Sequence, residues 1–366
     1  DEWRKINEGR VNIVIGARSA IFAPLKNIGI IIVDEEHTSS YKQENNPRYS
    51  AIDVAKFRSS YHNCPLVLGS ATPTIESYTR ALRGEYTLVS LPNRYNGMDP
   101  DIEIIDMNKE FKKSNGYFSN ILISEIKDVI SRGEQVILFL NKRGYSNIVT
   151  CNKCGEVEKC PNCDISLTYH KSSNMLRCHY CGFAKKKENI CNKCGEEFRE
   201  FGIGTEKVEE SLKEIIPDAR VVRMDIDTTT KKGAHEKIIN DFSERKYDIL
   251  LGTQMIAKGL DFPNVTLVGV ISADISLNFP DFRSSEVTFS LLNQVSGRSG
   301  RGNKLGKVLI QTFNPDHYAI VCSKNNNYKM FYEEELSIRK KLNYPPYCYI
   351  CLLKISSKDY NLASSM

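Results

Sequence analysis

Short apolar runs alternate along this chain with stretches whose apolar residues recur every three or four positions. The runs, at residues 11–15, 28–33, 66–68, 135–140, 220–224, 248–251, 265–271 and 306–312, have strand length. The one at 28–33 is nearly all β-branched, the pattern of a strand buried on both faces. The periodic stretches, at 52–59, 74–82, 121–130, 207–216, 232–242 and 285–296, predict helices with one apolar side. Strands and helices in alternation predict an α/β protein with parallel sheets. In such sheets functional residues collect beyond the carboxyl ends of strands. Two strands empty into polar, turn-rich sequence of this kind: Asp34-Glu35-Glu36-His37 after the second run, and Gly69-Ser70-Ala71-Thr72-Pro73 after the third.

The pattern divides the chain. Residues 1–90 form one α/β unit. Residues 91–118, with Pro92, Asn96-Gly97 and Asp99-Pro100, read as a linker. A second unit begins at 119–150, is interrupted at 151–200 by a cysteine-rich block, and resumes over 201–325. The remainder, 326–366, reads as the start of a further domain, with an apolar run at 350–355 as its first strand. No internal repeat or low-complexity tract is visible. An apolar fraction of 41% with 26% charged residues excludes a wholly disordered chain and a fibrous rod. No apolar stretch reaches membrane-spanning length. A net charge of only +5 leaves any nucleic-acid surface to be local. The chain opens at Asp1 without an initiator Met and is read as a piece of something longer.

Eight of the 12 cysteines form four C-x2-C pairs: Cys151/Cys154, Cys160/Cys163, Cys178/Cys181 and Cys191/Cys194. Gly follows the second Cys in three of them, as in a tight metal knuckle. Disulfides suit small secreted proteins, and iron–sulfur clusters also use sets of four cysteines, but two tetrahedral zinc ions held by thiolates fit this spacing best. The inner pairs enclose a loop that can form a hairpin from 166–169 and 175–177. Spacing alone leaves two pairings open: nested, with the outer pairs closing one site around the inner site, or sequential. His170 and His179 are not needed as ligands. Cys64, Cys322, Cys348 and Cys351 lie in apolar surroundings and read as small buried side chains.

The strand-end Asp-Glu-Glu-His resembles the Walker B motif of helicases with paired RecA-like lobes. Three further motifs follow in that superfamily's order: Ser70-Ala71-Thr72, the segment from Gly252-Thr253-Gln254 through Lys258-Gly259-Leu260-Asp261, and Gln294-Val295-Ser296-Gly297-Arg298-Ser299-Gly300-Arg301. The eight cysteines after Asn141-Lys142-Arg143-Gly144-Tyr145, together with Gly204-Thr205-Glu206, Arg223-Met224-Asp225 and Tyr344-Pro345-Pro346-Tyr347, narrow the likeness to the primosomal protein N′ family, the PriA-type replication-restart helicases of bacteria. The resemblance implies two RecA-like lobes, the first one partial, with a two-zinc module inserted in the second and nested zinc pairing. It also implies a Gly-rich phosphate loop ending in Gly-Lys-Thr or Gly-Lys-Ser, which this sequence does not contain. The chain alone is therefore expected to be a fragment without competent ATPase activity.

On this resemblance Asp34 holds the Mg²⁺ of ATP, and Glu35 orients or activates the attacking water. Glu36 and His37 sense the nucleotide and relay its state. Arg298 and Arg301 approach the transferring phosphate across the lobe interface, sharing a face if helical. Gly259 and Asp261 line the nucleotide. Tyr41, Lys42, Arg48 and Tyr49, the aromatic-basic loop after the Walker B segment, contact DNA, as do Gln254 and Lys258. The expected function is an ATP-driven 3′-to-5′ helicase of replication restart acting on single-stranded and forked DNA. Its expected partners are primosome proteins, single-strand-binding protein and the loading machinery of the replicative helicase, in the bacterial cytoplasm with no membrane. A double-strand DNA translocase and a zinc-bearing binding module without ATPase activity are the competing readings.

Overall fold

The computed structural model describes residues 1–91, 99–110, 117–140, 148–151, 153–170, 173–201, 204–225, 228–229, 233–253, 256, 262–300 and 305–351. The chain splits into two compact units, Asp1–Leu88 and Val89–Met366.

In the first unit β1 (Ile31–Val33) and β2 (Leu66–Leu68) pair in parallel, Val33 opposite Leu68. Helix Ala51–His62 is capped by Ser50, which accepts from the Asp53 N–H, and ends in left-handed Asn63. Helix Ile75–Leu82 is capped by Thr74. Two expectations need correction. Residues 11–15 are not a strand: no described residue pairs with them, and Ile13 and Ile15 are exposed. Nor is the 28–33 run buried on both faces. The described sheet has two strands, so Ile32 stays 65% exposed while Val33 is buried.

The strands of the second unit are, in chain order, β3 (Asp101–Asp106), β4 (Gln135–Leu140), β5 (Ile148–Cys151), β6 (Thr168–His170), β7 (Met175–Arg177), β8 (Ala184–Lys186), β9 (Phe198–Phe201), β10 (Val221–Met224), β11 (Ile249–Gly252), β12 (Val265–Ser272) and β13 (Lys307–Thr312). Six form one parallel sheet in the order β10-β11-β4-β12-β13-β3. Every residue of β4 and β12 is buried, because helices cover both faces. Val136, Leu138 and Leu140 face helices Asn120–Ser131 and Thr205–Ile215, while Ile137 and Phe139 face the side of helix Ser284–Ser296. The segment read as a linker contains β3, which pairs with β13 over Asp101–Asp106 and Lys307–Thr312. Its apolar residues alternate with acidic ones, as an edge strand permits.

The cysteine-rich insertion leaves and re-enters through β5 and β9, an antiparallel stem. Inside it β6, β7 and β8 form an antiparallel meander whose first two strands are the expected hairpin. Helix Tyr328–Lys341, read as the start of another domain, packs on the second unit, with Phe331 stacked on Phe289 at 4.3 Å. The run at 350–355 lies largely outside the described residues, and Ile350 and Cys351 are not in a strand. Of the four other cysteines, Cys64 and Cys322 are buried as expected, Cys348 only partly, and Cys351 is exposed.

The last helix is fixed by charge as well as packing. Arg339, 1% exposed, donates from Nε to Glu335 at 2.8 Å, from Nη2 to Glu286 at 2.5 Å, and from Nη1 to the Pro345 carbonyl at 3.2 Å. Tyr318 donates to the other Glu335 oxygen at 2.6 Å. Removing the cation strands the buried carboxylate of Glu335 and takes the guanidinium from that of Glu286, whose side chain is 12% exposed. Arg339→Ala should therefore cost about 3–5 kcal/mol in urea unfolding. Lys213→Ala, which breaks the Lys213–Glu209 pair at 2.7 Å with the lysine side chain 56% exposed, should cost about 0.5 kcal/mol or less.

Candidate functional site

Parallel pairing of β1 and β2 delivers the two polar segments side by side. The Gly69 N–H donates to the Val33 carbonyl at 2.8 Å, and the Glu36 N–H to the Gly69 carbonyl at 3.0 Å. Asp34 is exposed, and its Oδ1 accepts from the Glu35 N–H at 2.9 Å. Glu35 sits at φ 49°, a left-handed conformation that costs a non-glycine residue energy and that gathers at functional sites. Its Oε2 is buried without a hydrogen bond, 3.4 Å from His37 Nδ1. An exposed carboxylate beside one with a buried unbonded oxygen is a donor set that fits a divalent cation and an ordered water.

Glu36 behaves differently from its neighbour. It is 3% exposed, and its oxygens accept from the Thr74 N–H at 2.6 Å and the Ser77 hydroxyl at 3.1 Å, at the start of helix Ile75–Leu82. The Glu36 carboxylate forms a link within the unit: it satisfies helix N-terminal donors. His37 Nδ1 shares a 2.7 Å hydrogen bond with the Ser70 hydroxyl, which also accepts from the Thr72 N–H at 3.0 Å. Two motifs distant in sequence are thus one hydrogen-bonded cluster.

The aromatic-basic loop leads out of this cluster. Tyr41 donates its hydroxyl to the Asp34 carbonyl at 2.6 Å, and burial, with the charges of Asp34 and Glu35, pushes its phenol pKa up. Lys42 and Arg48 are exposed, and Arg48 Nε donates to the Glu44 carbonyl at 3.0 Å. Tyr49 is partly buried, edge-on to Phe22 at 4.9 Å. Arg18, absent from the sequence-based site, grips this loop; no motif marks it, because its acceptors are mostly backbone carbonyls.

In the second unit Arg298 follows helix Ser284–Ser296 instead of lying on it. The helix closes at Gly297, and Gly300 takes φ 71°, so Arg298 does not sit on a helical face. Gln254, Lys258, Gly259, Asp261 and Arg301 lie outside the described residues.

The eight cysteines form two groups, Cys151/Cys154/Cys191/Cys194 and Cys160/Cys163/Cys178/Cys181, within each of which all sulfurs lie within 4.8 Å of one another. The pairing is nested. Sγ separations of 3.3 Å (Cys151–Cys194), 3.7 Å (Cys154–Cys191) and 3.5 Å (Cys160–Cys181) are too long for disulfides. They approach the edge of about 3.8 Å that 2.3 Å zinc–sulfur bonds give a tetrahedron. All four knuckles repeat one pattern. The N–H of the first Cys donates to the carbonyl five residues on, at 2.7–2.9 Å, and the residue after the second Cys returns an N–H to the first Cys carbonyl. That residue has positive φ each time: Gly155 at 68°, Asp164 at 52°, Gly182 at 77° and Gly195 at 75°. The Phe183 N–H holds the Cys181 thiol down to about 6, and the Glu196 N–H holds Cys194 down to about 7. Burial pushes Cys151, Cys154, Cys160 and Cys163 up, so four neighbouring thiolates need a cation to coexist.

Residues 160–186 match the PriA DNA helicase Cys-rich region domain, and residues 184–303 match the helicase conserved C-terminal domain. The replication restart protein PriA of Bacillus subtilis (strain 168) is 55% identical over 362 residues, covering 98% of this chain and 45% of that protein. The chain belongs to the PriA replication restart family. PriA of Synechocystis sp. is 46% identical over 97% of this chain and 44% of its own length, and that of Treponema pallidum 43% over 98% and 54%. The chain spans about half the length of the curated PriA relatives it matches. Its fold is accordingly that of RecA-like helicase lobes, with the PriA Cys-rich region as the insertion in the second. The PriA Cys-rich match holds the inner cysteine group, while the outer pairs flank it.

The outer group rests on the PriA lobe at Gly155, where a Cβ would meet Phe313 Cβ at 2.3 Å; at Gly195 it would meet nothing within 4 Å. Gly195→Ala should cost about 1–2 kcal/mol, the left-handed penalty alone. Gly155→Ala adds an overpacking cost of about 1–3 kcal/mol. Thermal unfolding of the two variants side by side checks the difference.

Proposed function

We propose that the protein carrying this chain is an ATP-dependent 3′-to-5′ DNA helicase that recognises stalled or forked DNA and initiates primosome assembly in replication restart. The observation that carries the motor reading is the strand-end cluster. Strained Glu35 has an unbonded buried oxygen beside exposed Asp34, while Glu36 and His37 join the pair to the Ser70–Ser77 segment. The names of the relatives support replication restart as the process.

In this reading Asp34 holds the Mg²⁺ of the nucleotide, and Glu35 orients the attacking water. Bound Mg²⁺ supplies neutralisation of phosphate charge. Arg298 and Arg301 stabilise the transferring phosphoryl group, with Gly259 and Asp261 at the nucleotide. Tyr41, Lys42, Arg48, Tyr49, Gln254 and Lys258 contact DNA. His37, bonded to Ser70, and Glu36, bonded to Thr74 and Ser77, pass the state of the site into the helix beyond. Tyr41 is suited to couple DNA to the site because its hydroxyl bonds the Asp34 carbonyl. Each cysteine group holds one zinc ion with a structural role: a closed set of four thiolates leaves no open position for catalysis.

The assay belongs to the full-length protein, since the 366-residue sequence has no Gly-Lys-Thr or Gly-Lys-Ser loop. Glu35→Gln should lower DNA-stimulated hydrolysis by about 10²-fold or more while leaving single-strand affinity unchanged. Tyr41→Phe should keep DNA affinity and lose part of the stimulation, whereas Tyr41→Ala should also weaken binding by about 1–3 kcal/mol per base contact. Hydrolysis assays with anisotropy titration of forked and single-stranded DNA measure both. Loss of DNA binding in Glu35→Gln, or no unwinding by the unmodified protein, would sink the reading.

Elemental analysis should return two zinc ions per chain. Cys160→Ser should lower this to one and open Cys163, Cys178 and Cys181 to thiol reagents, leaving the outer four protected. Exposure of Cys151 and Cys154 instead would contradict nested pairing.

A further inference from the structure

Arg18 lies on the 3-10 turn Arg18–Phe22, outside every motif assigned to the motor. The turn is anchored from below, because Arg58 of helix Ala51–His62 donates to the Ile21 carbonyl. From this base the Arg18 guanidinium reaches the aromatic-basic loop with both terminal nitrogens. Nη1 donates to the Ser40 carbonyl at 2.9 Å and to the Lys42 carbonyl at 3.3 Å, and Nη2 donates to Gln43 Oε1 at 2.8 Å. The same cation lies 5.5 Å from the centre of the Tyr49 ring.

These contacts span the loop. Ser40, Lys42 and Gln43 belong to its outgoing limb, and Tyr49 belongs to the returning one. The two limbs also meet each other: the Gln43 N–H donates to the Tyr49 carbonyl at 2.8 Å, and Gln43 Nε2 donates to the Pro47 carbonyl at 2.8 Å. Gln43 is therefore held from both sides, by Arg18 and by the returning limb. At the inner end Tyr41 is bonded to the Asp34 carbonyl, so a shift of the outgoing limb bears directly on the strand-end carboxylates.

We infer that Arg18 is a positioning residue: its guanidinium fork clamps the two limbs of the loop at 39–50 in the geometry that couples DNA contact to ATP hydrolysis. The inference rests on the assignment of that loop to DNA. The chemistry requires Arg. A planar fork can serve two carbonyls and an amide oxygen while lying against a ring, whereas a lysine ammonium keeps the charge but not the fork. The clamp is therefore distinguishable from a simple phosphate contact, for which Lys serves nearly as well.

The test uses the full-length protein with Arg18→Ala, Arg18→Lys and, as a gentler variant removing the opposite partner, Gln43→Ala. Amide hydrogen exchange over residues 40–50 should rise in all three, with exchange in helix Ala51–His62 unchanged. Stimulation of hydrolysis by DNA should fall on the order of tenfold in both Arg18 variants, as misplacement of a coupling element would cause. Hydrolysis without DNA should persist, and the salt dependence of single-strand binding should keep its slope. Unchanged exchange over 40–50 in Arg18→Ala overturns the clamp. Full stimulation in Arg18→Lys, or a salt slope shallower by about 0.7 in Arg18→Ala, overturns it in favour of a direct phosphate contact. Raised exchange in a protein whose unmodified form shows no DNA-stimulated hydrolysis upholds the clamp and overturns instead the functional reading beneath it.

Discussion

A parallel sheet covered on both faces leaves no wet surface along its strands, and this constraint decides where everything else can be. Every residue of β4 and β12 is buried, so these strands serve packing and internal hydrogen bonds such as those of Gln135 and Thr266. Polar chemistry is pushed past the strand ends, where the backbone must leave the ladder and find other partners. The small sheet of the first unit leaves one face open, with Ile32 and Val67 exposed, yet its polar segments also lie past the strand ends. With Val33 opposite Leu68, the chain exits twice at the same edge, and Asp34–His37 lies beside Gly69–Thr72. Side chains then finish what the backbone began: His37 meets Ser70, and Glu36 reaches past it to the helix capped by Thr74.

The insertion faces the opposite problem. It departs after β4, returns before β10, and contains too little apolar sequence between its cysteines to support an independent core. Its buried cluster includes several of the cysteines themselves, with Ile165, Leu167, Leu176 and Phe198. A metal-held knuckle substitutes for a hydrophobic core by fixing backbone N–H groups around sulfur. This explains why the four knuckles share one hydrogen-bond pattern although their intervening sequences differ.

How much could be read from the sequence followed from where the determining forces lie. Strands such as Gln135–Leu140 and Val265–Ser272 were legible because every residue in them is buried and burial favours apolar side chains. The run at 11–15 has a similar composition without a pairing partner among the described residues, and composition cannot report a partner. β3 was hidden because Asp101, Glu103 and Asp106 mark an edge strand while the turns before it suggest a linker. The repetition of the knuckles is hidden as well, because it resides in backbone conformation: Asp164 takes the left-handed role that glycine announces in the other three. In the strand-end cluster the residues were legible and their division of labour was not. Asp34, Glu35 and Glu36 are three adjacent acids, and only the fold separates the exposed one, the strained one and the one bonded to a helix terminus.

The seating of the Cys-rich region on its lobe gives Tyr344, the first residue of the Tyr344-Pro345-Pro346-Tyr347 motif, a contact that the motif's sequence does not express. Phe282 stacks on Tyr344 with ring centres 4.7 Å apart at 14°, and the Arg339 guanidinium lies 5.1 Å from the Phe282 ring. Tyr344 donates its hydroxyl to the Cys163 carbonyl at 2.9 Å, within an inner knuckle. A continuous path of contacts therefore runs from the buried Glu286–Arg339–Glu335 cluster to the backbone of a cysteine loop. Because those charges cannot part without stranding a buried carboxylate, the helix bearing Arg339 has one seat, and Tyr344 just beyond it inherits that precision. The cysteines determine that the region folds; residues more than a hundred positions away determine which way it faces.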